Sequence, residues 1–277
     1  MPWEWPVGAL LAFLVALATT PAGVSGAVLL LPVQVSVLGV ASPAVTPTNL
    51  LFNVAAVPGG LLRFGRERRL GGPLARLLVA GTLPGVIAGA IVRVELLADE
   101  HAFMWVAAGV LLPLGLWLLL AGQRMQPQRR ELTPRLRLGI WALALTIGTV
   151  GGIYGVGGGS LLAPLLLALG FSAFETAPAT LAATFLTSIA GIATYVVLQA
   201  TGSGAIGPEW TLGAFLGAGG FAGSYLGARL QSRLPETALR RLLGLIACLV
   251  AARYIQLASS GGGEREAPRA AVTVSAL

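Results

Sequence analysis

The feature that most constrains this chain is a series of apolar runs too long for a soluble core. They lie at about residues 7–38, 44–62, 74–93, 102–121, 138–170, 177–200, 210–228 and 239–258. Most have the length of one membrane span, since about 20 helical residues cross a hydrocarbon core of about 30 Å. With 56% hydrophobic and 10% charged residues, the composition also lies outside the soluble range. The sequence therefore predicts an all-α integral membrane protein.

Two of the runs, 7–38 and 138–170, are longer than one span requires. As a single helix each would reach about 50 Å. Both contain small residues near the middle, and in the second these form the stretch YGVGGGS (154–160). We expect each run to form two half-length helices, at about 138–150 and 160–170 in the second run, with the break near the membrane midplane.

The two halves of the sequence resemble each other. Three stretches of the first half align with the second: 22–32 with 154–164, 45–53 with 176–184, and 85–90 with 223–228. Such self-similarity indicates an internal repeat. The predicted organisation is a first transmembrane repeat at 1–121, an Arg-rich cytoplasmic linker at 122–137, a second repeat at 138–258 and a disordered tail at 259–277. Each repeat comprises a broken or re-entrant helix pair plus three transmembrane helices.

The distribution of arginine predicts how the chain is oriented. All 18 basic residues are Arg, and most lie in the loops 63–73, 122–137 and 229–241. Positive residues near helix ends stay cytoplasmic, so these loops face inward, and the loops 94–101 and 201–209 face outward. Equivalent points of the repeats then face opposite sides, which predicts inverted repeats. The net charge of +7 is thus a topology signal, and no nucleic acid partner is expected.

The glycine-rich breaks indicate a binding site. Inverted repeats whose broken helices meet near the midplane are an architecture of secondary transporters. Glycine keeps backbone amides at the start of a half-helix accessible, and the helix dipole makes that end attractive to an anion. The other reading of small residues is close helix packing. We assign that packing role to Gly85, Gly89, Gly219, Gly223 and Gly227.

Neutral polar residues at the breaks and on the following helices are the candidate substrate ligands. They are Ser25, Gly26, Asn49, Asn53, Tyr154, Gly157, Gly158, Gly159, Ser160, Thr180 and Thr184. The two Asn and the two Thr are each four residues apart, so each pair shares one helix face. Interhelical hydrogen bonding remains the alternative for Asn, and bonding to the i−4 carbonyl remains the alternative for Ser and Thr. The spans lack the titratable residues that catalysis or metal binding requires, so no enzyme activity, cofactor or metal is expected.

Three stretches carry a family resemblance. They are GVGGGSLLAPLLLALGFSAFETAPAT (155–180), its weaker partner GVSGAVLLLP (23–32), and GAFLGAGGFAGSYLGARLQSRLPETALRRLLGL (213–245). On the basis of these stretches, the chain resembles the sulfite exporter TauE/SafE family of bacterial membrane transporters over about residues 8–257. The resemblance implies a multi-pass permease of the bacterial plasma membrane for sulfite, organosulfonates or related carboxylates.

Two other functions stay open at this point. A passive anion channel would use the same kind of midplane site. A membrane subunit could instead deliver a sulfur compound to a cytosolic partner. The expected partners are a small anionic substrate and the lipid bilayer, and a homodimer is left open.

Overall fold

The computed structural model describes residues 4–36, 38, 40, 42–95, 105, 108–109, 112–113, 115–117, 119–120, 132–202 and 207–260. Its helices are α1 (Glu4–Thr19), a 3-10 turn (Thr20–Ala22), α2 (Ala27–Ser36), α3 (Ser42–Arg66), α4 (Pro73–Glu95), α5 (Pro134–Tyr154), α6 (Leu162–Ala168), α7 (Ala173–Ala200), α8 (Trp210–Gln231) and α9 (Glu236–Ser260). These described segments contain no strand, so the all-α class is confirmed. Most of the predicted span 102–121, most of the linker and nearly all of the tail lie outside the described residues.

Six of the described helical segments are long and apolar enough to cross a membrane. They are Trp5–Ala22, Ala44–Arg66, Pro73–Val94, Pro134–Tyr154, Ala173–Ala200 and Thr237–Ser259. The helix α8, predicted as a span at 210–228, forms with 22 residues, but its many glycines lower its mean hydropathy and it is not among the six. In the segment Ala44–Arg66, 67% is buried, against 33–41% in the other five. The helix α3 is therefore central.

Both long apolar runs are broken, as predicted. The 3-10 turn after α1 ends at Gly23, which has a φ of 79°, and α5 ends at Gly155, which has a φ of 70°. This left-handed conformation is strained for residues with a Cβ, so glycine commonly ends helices there. The two glycines that the repeat alignment pairs thus end the first piece of each run.

The prediction that each run divides into two half-length helices was wrong for the first pieces. The helix α5 has 21 residues and reaches about 31 Å, enough to cross the hydrocarbon core. It continues through Gly148 and Gly152 because these pack against the backbone of α4 at Thr82 and Val86. The short pieces are α2, with 10 residues, and α6, with 7.

Glycines set how closely the long helices pack. Gly85 and Gly89 of α4 lie against the backbone of α5, and Gly219, Gly223 and Gly227 of α8 lie against the backbone of α1. The predicted packing role of these five residues is confirmed. The helix α3 also packs on α8 and α7, and α7 packs on α4. This arrangement places α3 and α7 next to each other, directly behind the two breaks.

Candidate functional site

The two helix breaks meet inside the protein. The backbone N–H of Ser25, in the first break, donates to Oγ of Ser160, in the second, at 3.2 Å. Both side chains are at most 2% exposed. The contact joins residues 135 positions apart, and it creates a single buried polar cluster from the two halves of the chain.

Each break is also bonded to the polar face of the long helix that follows it. The Ser25 hydroxyl donates to Oδ1 of Asn53 on α3. In the second half, Ser160 Oγ lies 3.3 Å from Thr184 Oγ1 on α7. A third bond crosses between the halves, from the hydroxyl of Thr180 to the carbonyl oxygen of Gly23 at 2.7 Å. Asn53, Ser25, Ser160 and Thr184 therefore belong to one network, and Thr180 bonds the first break beside it as well as the carbonyl oxygen of Thr176 on its own helix, at 3.0 Å.

Asn49 lies one turn earlier on α3, and both ends of its amide are bonded to protein. Its Nδ2 donates to the carbonyl oxygen of Ala27 at 3.0 Å, and its Oδ1 accepts from Gln34 Nε2 at 2.9 Å. These bonds hold α2 against α3. Gln34 is fully buried and was not predicted as a site residue. A polar amide within the otherwise apolar stretch LLLPVQVSV is the signal that could have found it.

The glycines of the second break allow close backbone approach. A Cβ on Gly159 would clash with the carbonyl oxygen of Thr180, and one on Gly158 would lie 2.9 Å from Thr82. Gly157 has a φ of 69°. Among the hydrogen bonds between described residues, none uses the N–H groups of Gly157, Gly158 or Gly159. The role of these three unbonded amides as donors to a ligand stays a prediction.

Two further predicted residues lie against apolar neighbours in this structure. A Cβ on Gly26 would meet Val15 and Phe52, at 3.1 and 3.3 Å, so this glycine fits between α1 and α3. Tyr154 is buried within an apolar cluster that also contains Val24. The site is thus built mainly from the hydroxyls, the amides and the second break.

Ser188, on α7, is a buried polar residue of the cluster that the sequence analysis did not single out. It follows Thr184 by one helical turn and continues the spacing of Thr180 and Thr184, which is the signal that could have found it. Its Oγ is fully buried and has no hydrogen-bond partner, and the same is true of Asn53 Nδ2. Buried polar groups in proteins are almost always bonded. The cluster therefore contains two buried donors without a hydrogen-bond partner.

The cluster is closed to solvent in this conformation. A small pocket of about 20 Å³ borders the breaks, with room for about one water molecule. Its lining residues are Val24, Val28, Ser160, Leu161, Pro164, Ile246, Ala247 and Val250. The last three belong to α9, which therefore covers the breaks on that side. Within the described residues, no group of three or more His, Cys, Asp or Glu is placed to hold a metal ion.

Six apolar spans around a buried polar cluster define a multi-pass membrane protein. The chain belongs to the family described as Sulfite exporter TauE/SafE, whose model matches residues 8–254. No curated protein and no solved structure matches the chain. Membership in this family implies a membrane transporter of sulfur-containing anions.

Proposed function

We propose that this protein is a secondary transporter that moves a small anion across the bacterial plasma membrane. The proposed substrates are sulfite, an organosulfonate or a related carboxylate. One observation carries the proposal: the two helix breaks contact each other through Ser25 and Ser160, and both side chains are buried inside the protein. Non-helical backbone at membrane depth is tolerated where it is buried in protein or lines a cavity. Transporters place their substrate sites at such breaks.

The chemistry of the cluster supports an anionic substrate. Its available donors are the N–H groups of Gly157, Gly158 and Gly159, together with Asn53 Nδ2 and the Ser188 hydroxyl. Donors that are already buried need no further desolvation when an oxyanion binds, and bonds to a charged acceptor are the stronger ones. An anion held there would bond both unpartnered side chains.

We propose further that residues 1–121 and 138–258 are inverted repeats. Support comes from packing partners that exchange between the halves. A Cβ on Gly85 would meet the carbonyl oxygen of Leu145, and one on Gly223 would meet that of Phe13. The repeat alignment pairs Gly85 with Gly223, and the shift that pairs the two break glycines also pairs Phe13 with Leu145. Rocking of one half against the other would then expose the site to alternate sides.

The test is flux into proteoliposomes that contain the purified protein, with labelled sulfite, methanesulfonate and acetate offered separately. We expect saturable uptake of at least one anion. Ser160→Ala, which removes the contact with Ser25, should reduce that uptake strongly. Thr146→Ala is the control, because Thr146 is exposed on α5 and its hydroxyl bonds only its own helix, at Ala142.

Three outcomes would argue against this function. Absence of flux for every anion, from protein whose helix content is intact, would contradict the transporter and favour a subunit that needs a partner. Large, non-saturating currents would indicate a channel. Equal flux in Ser160→Ala and Thr146→Ala would show that transport does not depend on the contact between the two breaks.

A further inference from the structure

We propose that the site selects singly charged anions, and that Asn53 and Ser188 jointly bind one oxygen of the substrate. This inference rests on the proposed transport function and specifies the charge state of the transported species. For sulfite, the transported form would be hydrogen sulfite rather than the dianion. A sulfonate, which is a monoanion at every working pH, would be accepted without titration.

The two unpartnered donors lie close together at the second break. An ideal Cβ on Gly157 would be 3.1 Å from Asn53 Nδ2 and 3.2 Å from Ser188 Oγ. Both donors therefore face the same side of Gly157, which they share with the Thr184 methyl group, 2.6 Å from the same Cβ position. Asn53 is oriented by its other amide atom, since Oδ1 accepts from Ser25. Both side chains have 0% exposure, so water does not satisfy them from the surface.

The charged residues in the sequence of the described helices all lie within about two turns of a helix end. They are Glu4, Arg63, Arg66, Arg76, Arg93, Glu95, Arg135, Arg137, Glu175, Arg229, Glu236, Arg240, Arg241 and Arg253. The nearest on α7, Glu175, is 13 residues before Ser188, or about 20 Å along the helix. The titratable groups nearer the cluster are the phenols of Tyr154 and Tyr195, and Tyr195 donates to the carbonyl oxygen of Gly152. Outside these helices, Arg69 bonds the carbonyl oxygen of Phe174, which lies 14 residues before Ser188 on α7. No described side chain thus supplies a fixed positive charge beside Asn53 and Ser188.

The absence of a fixed positive charge among these described helices decides the charge state of the ligand. The Born free energy of moving an ion out of water grows with the square of its charge, so the desolvation cost of a dianion is roughly four times that of a monoanion of the same size. The stabilisation that neutral donors provide grows more slowly with the charge of the ligand, because each donor supplies only a partial charge. A site of hydroxyls and amides therefore discriminates against dianions of the same size. Arg is the residue of choice where proteins recognise phosphate groups, and it adds a full positive charge to the site.

The first experiment compares three anions at equal pH on both sides of the proteoliposome membrane. Methanesulfonate should show flux independent of pH, and sulfate, a dianion throughout, should show little or none. Sulfite flux should fall as pH rises through neutrality, in proportion to the hydrogen sulfite fraction. Flux into protein-free liposomes is subtracted, since the neutral form of the acid crosses lipid unaided. Sulfate flux equal to that of methanesulfonate, or sulfite flux that rises with pH, would overturn the proposal.

The second experiment tests the paired donors. Ser188→Ala should raise KM for methanesulfonate by about tenfold or more, because it removes a bond to a charged ligand. It should leave the thermal midpoint unchanged, because the Ser188 hydroxyl has no protein partner to lose. Thr194→Ala on the same helix is the control, since its hydroxyl bonds Ala190 of its own helix. An unchanged KM would show that Ser188 has no part in binding, whatever the thermal midpoint of the variant.

These outcomes separate the two proposals. Loss of all anion flux in the unmodified protein removes the transport function itself. Flux that accepts dianions, or that ignores Ser188, leaves transport in place and removes only the monoanion site.

Discussion

Gln231, the last residue of α8, makes two hydrogen bonds that hold the first break in place. Its Nε2 donates to the carbonyl oxygen of Pro21 at 2.7 Å and to that of Ala173 at 3.2 Å. The side chain is fully buried. It therefore ties the 3-10 turn to the start of α7. Replacing it with Leu removes both bonds while keeping a side chain of similar volume.

The expected effect follows from the bonding. Gln231→Leu loses two hydrogen bonds of about 1 kcal/mol each and leaves the buried Pro21 carbonyl without this donor, which costs about 1–3 kcal/mol. The change also removes an unpartnered acceptor, Gln231 Oε1, and this offsets part of the loss. A net destabilisation of about 2 kcal/mol lowers Tm by roughly 4–8 °C in a chain of this size. Gln231→Glu should be worse, since a carboxylate would face two carbonyl oxygens without a donor.

The assay is thermal unfolding in detergent, followed by far-UV circular dichroism. Gln199→Leu is the matched control, because Gln199 is exposed near the end of α7. If Gln231→Leu and Gln199→Leu unfold at the same temperature, the two bonds contribute nothing and the reasoning fails. A Gln231→Glu variant as stable as the unmodified protein would refute it equally.

Two further changes test other contacts. Ser224→Ala removes an acceptor that bonds the Gly60 N–H at 3.1 Å and the Thr20 hydroxyl at 3.2 Å; we expect a loss of about 1–3 kcal/mol, measured as a lowered Tm. Gly155→Ala introduces a Cβ at a φ of 70° that also clashes with the Thr46 backbone, whereas Gly71→Ala, at a φ of 90°, meets nothing within 4 Å. Gly71→Ala should cost only the backbone strain of about 1–2 kcal/mol, and Gly155→Ala more. Equal Tm values in the two glycine variants would show that the Thr46 contact does not matter.

Hydropathy predicted most helix boundaries well. The run 74–93 became α4 (Pro73–Glu95), and 177–200 lies within α7 (Ala173–Ala200). The physical reason is that a span must bond its own backbone and expose apolar side chains, so its limits are local properties of the sequence. The break glycines were predictable for the same reason, since a positive φ is a property of one residue.

Contacts between residues far apart in the sequence were harder to predict. Gln231 was assigned to an Arg-rich loop because arginines flank it, yet it is buried under the first break. Ser188 was not among the predicted site residues, although it lies one helical turn after Thr184 on the same face. The neighbouring Thr187 hydroxyl bonds the carbonyl oxygen of Ala183, whereas the Ser188 hydroxyl has no partner. The sequence cannot show this difference.

The sequence by itself determined that this chain forms membrane-spanning helices and where two of them break. Apolar length and glycine position are sufficient for that, because they act on each segment separately. Only the tertiary structure decided that the breaks meet at Ser25 and Ser160, and that Asn53 and Ser188 retain free donors beside them. Those outcomes depend on how closely α3, α7 and the breaks pack. Packing of that kind is fixed jointly by residues more than a hundred positions apart.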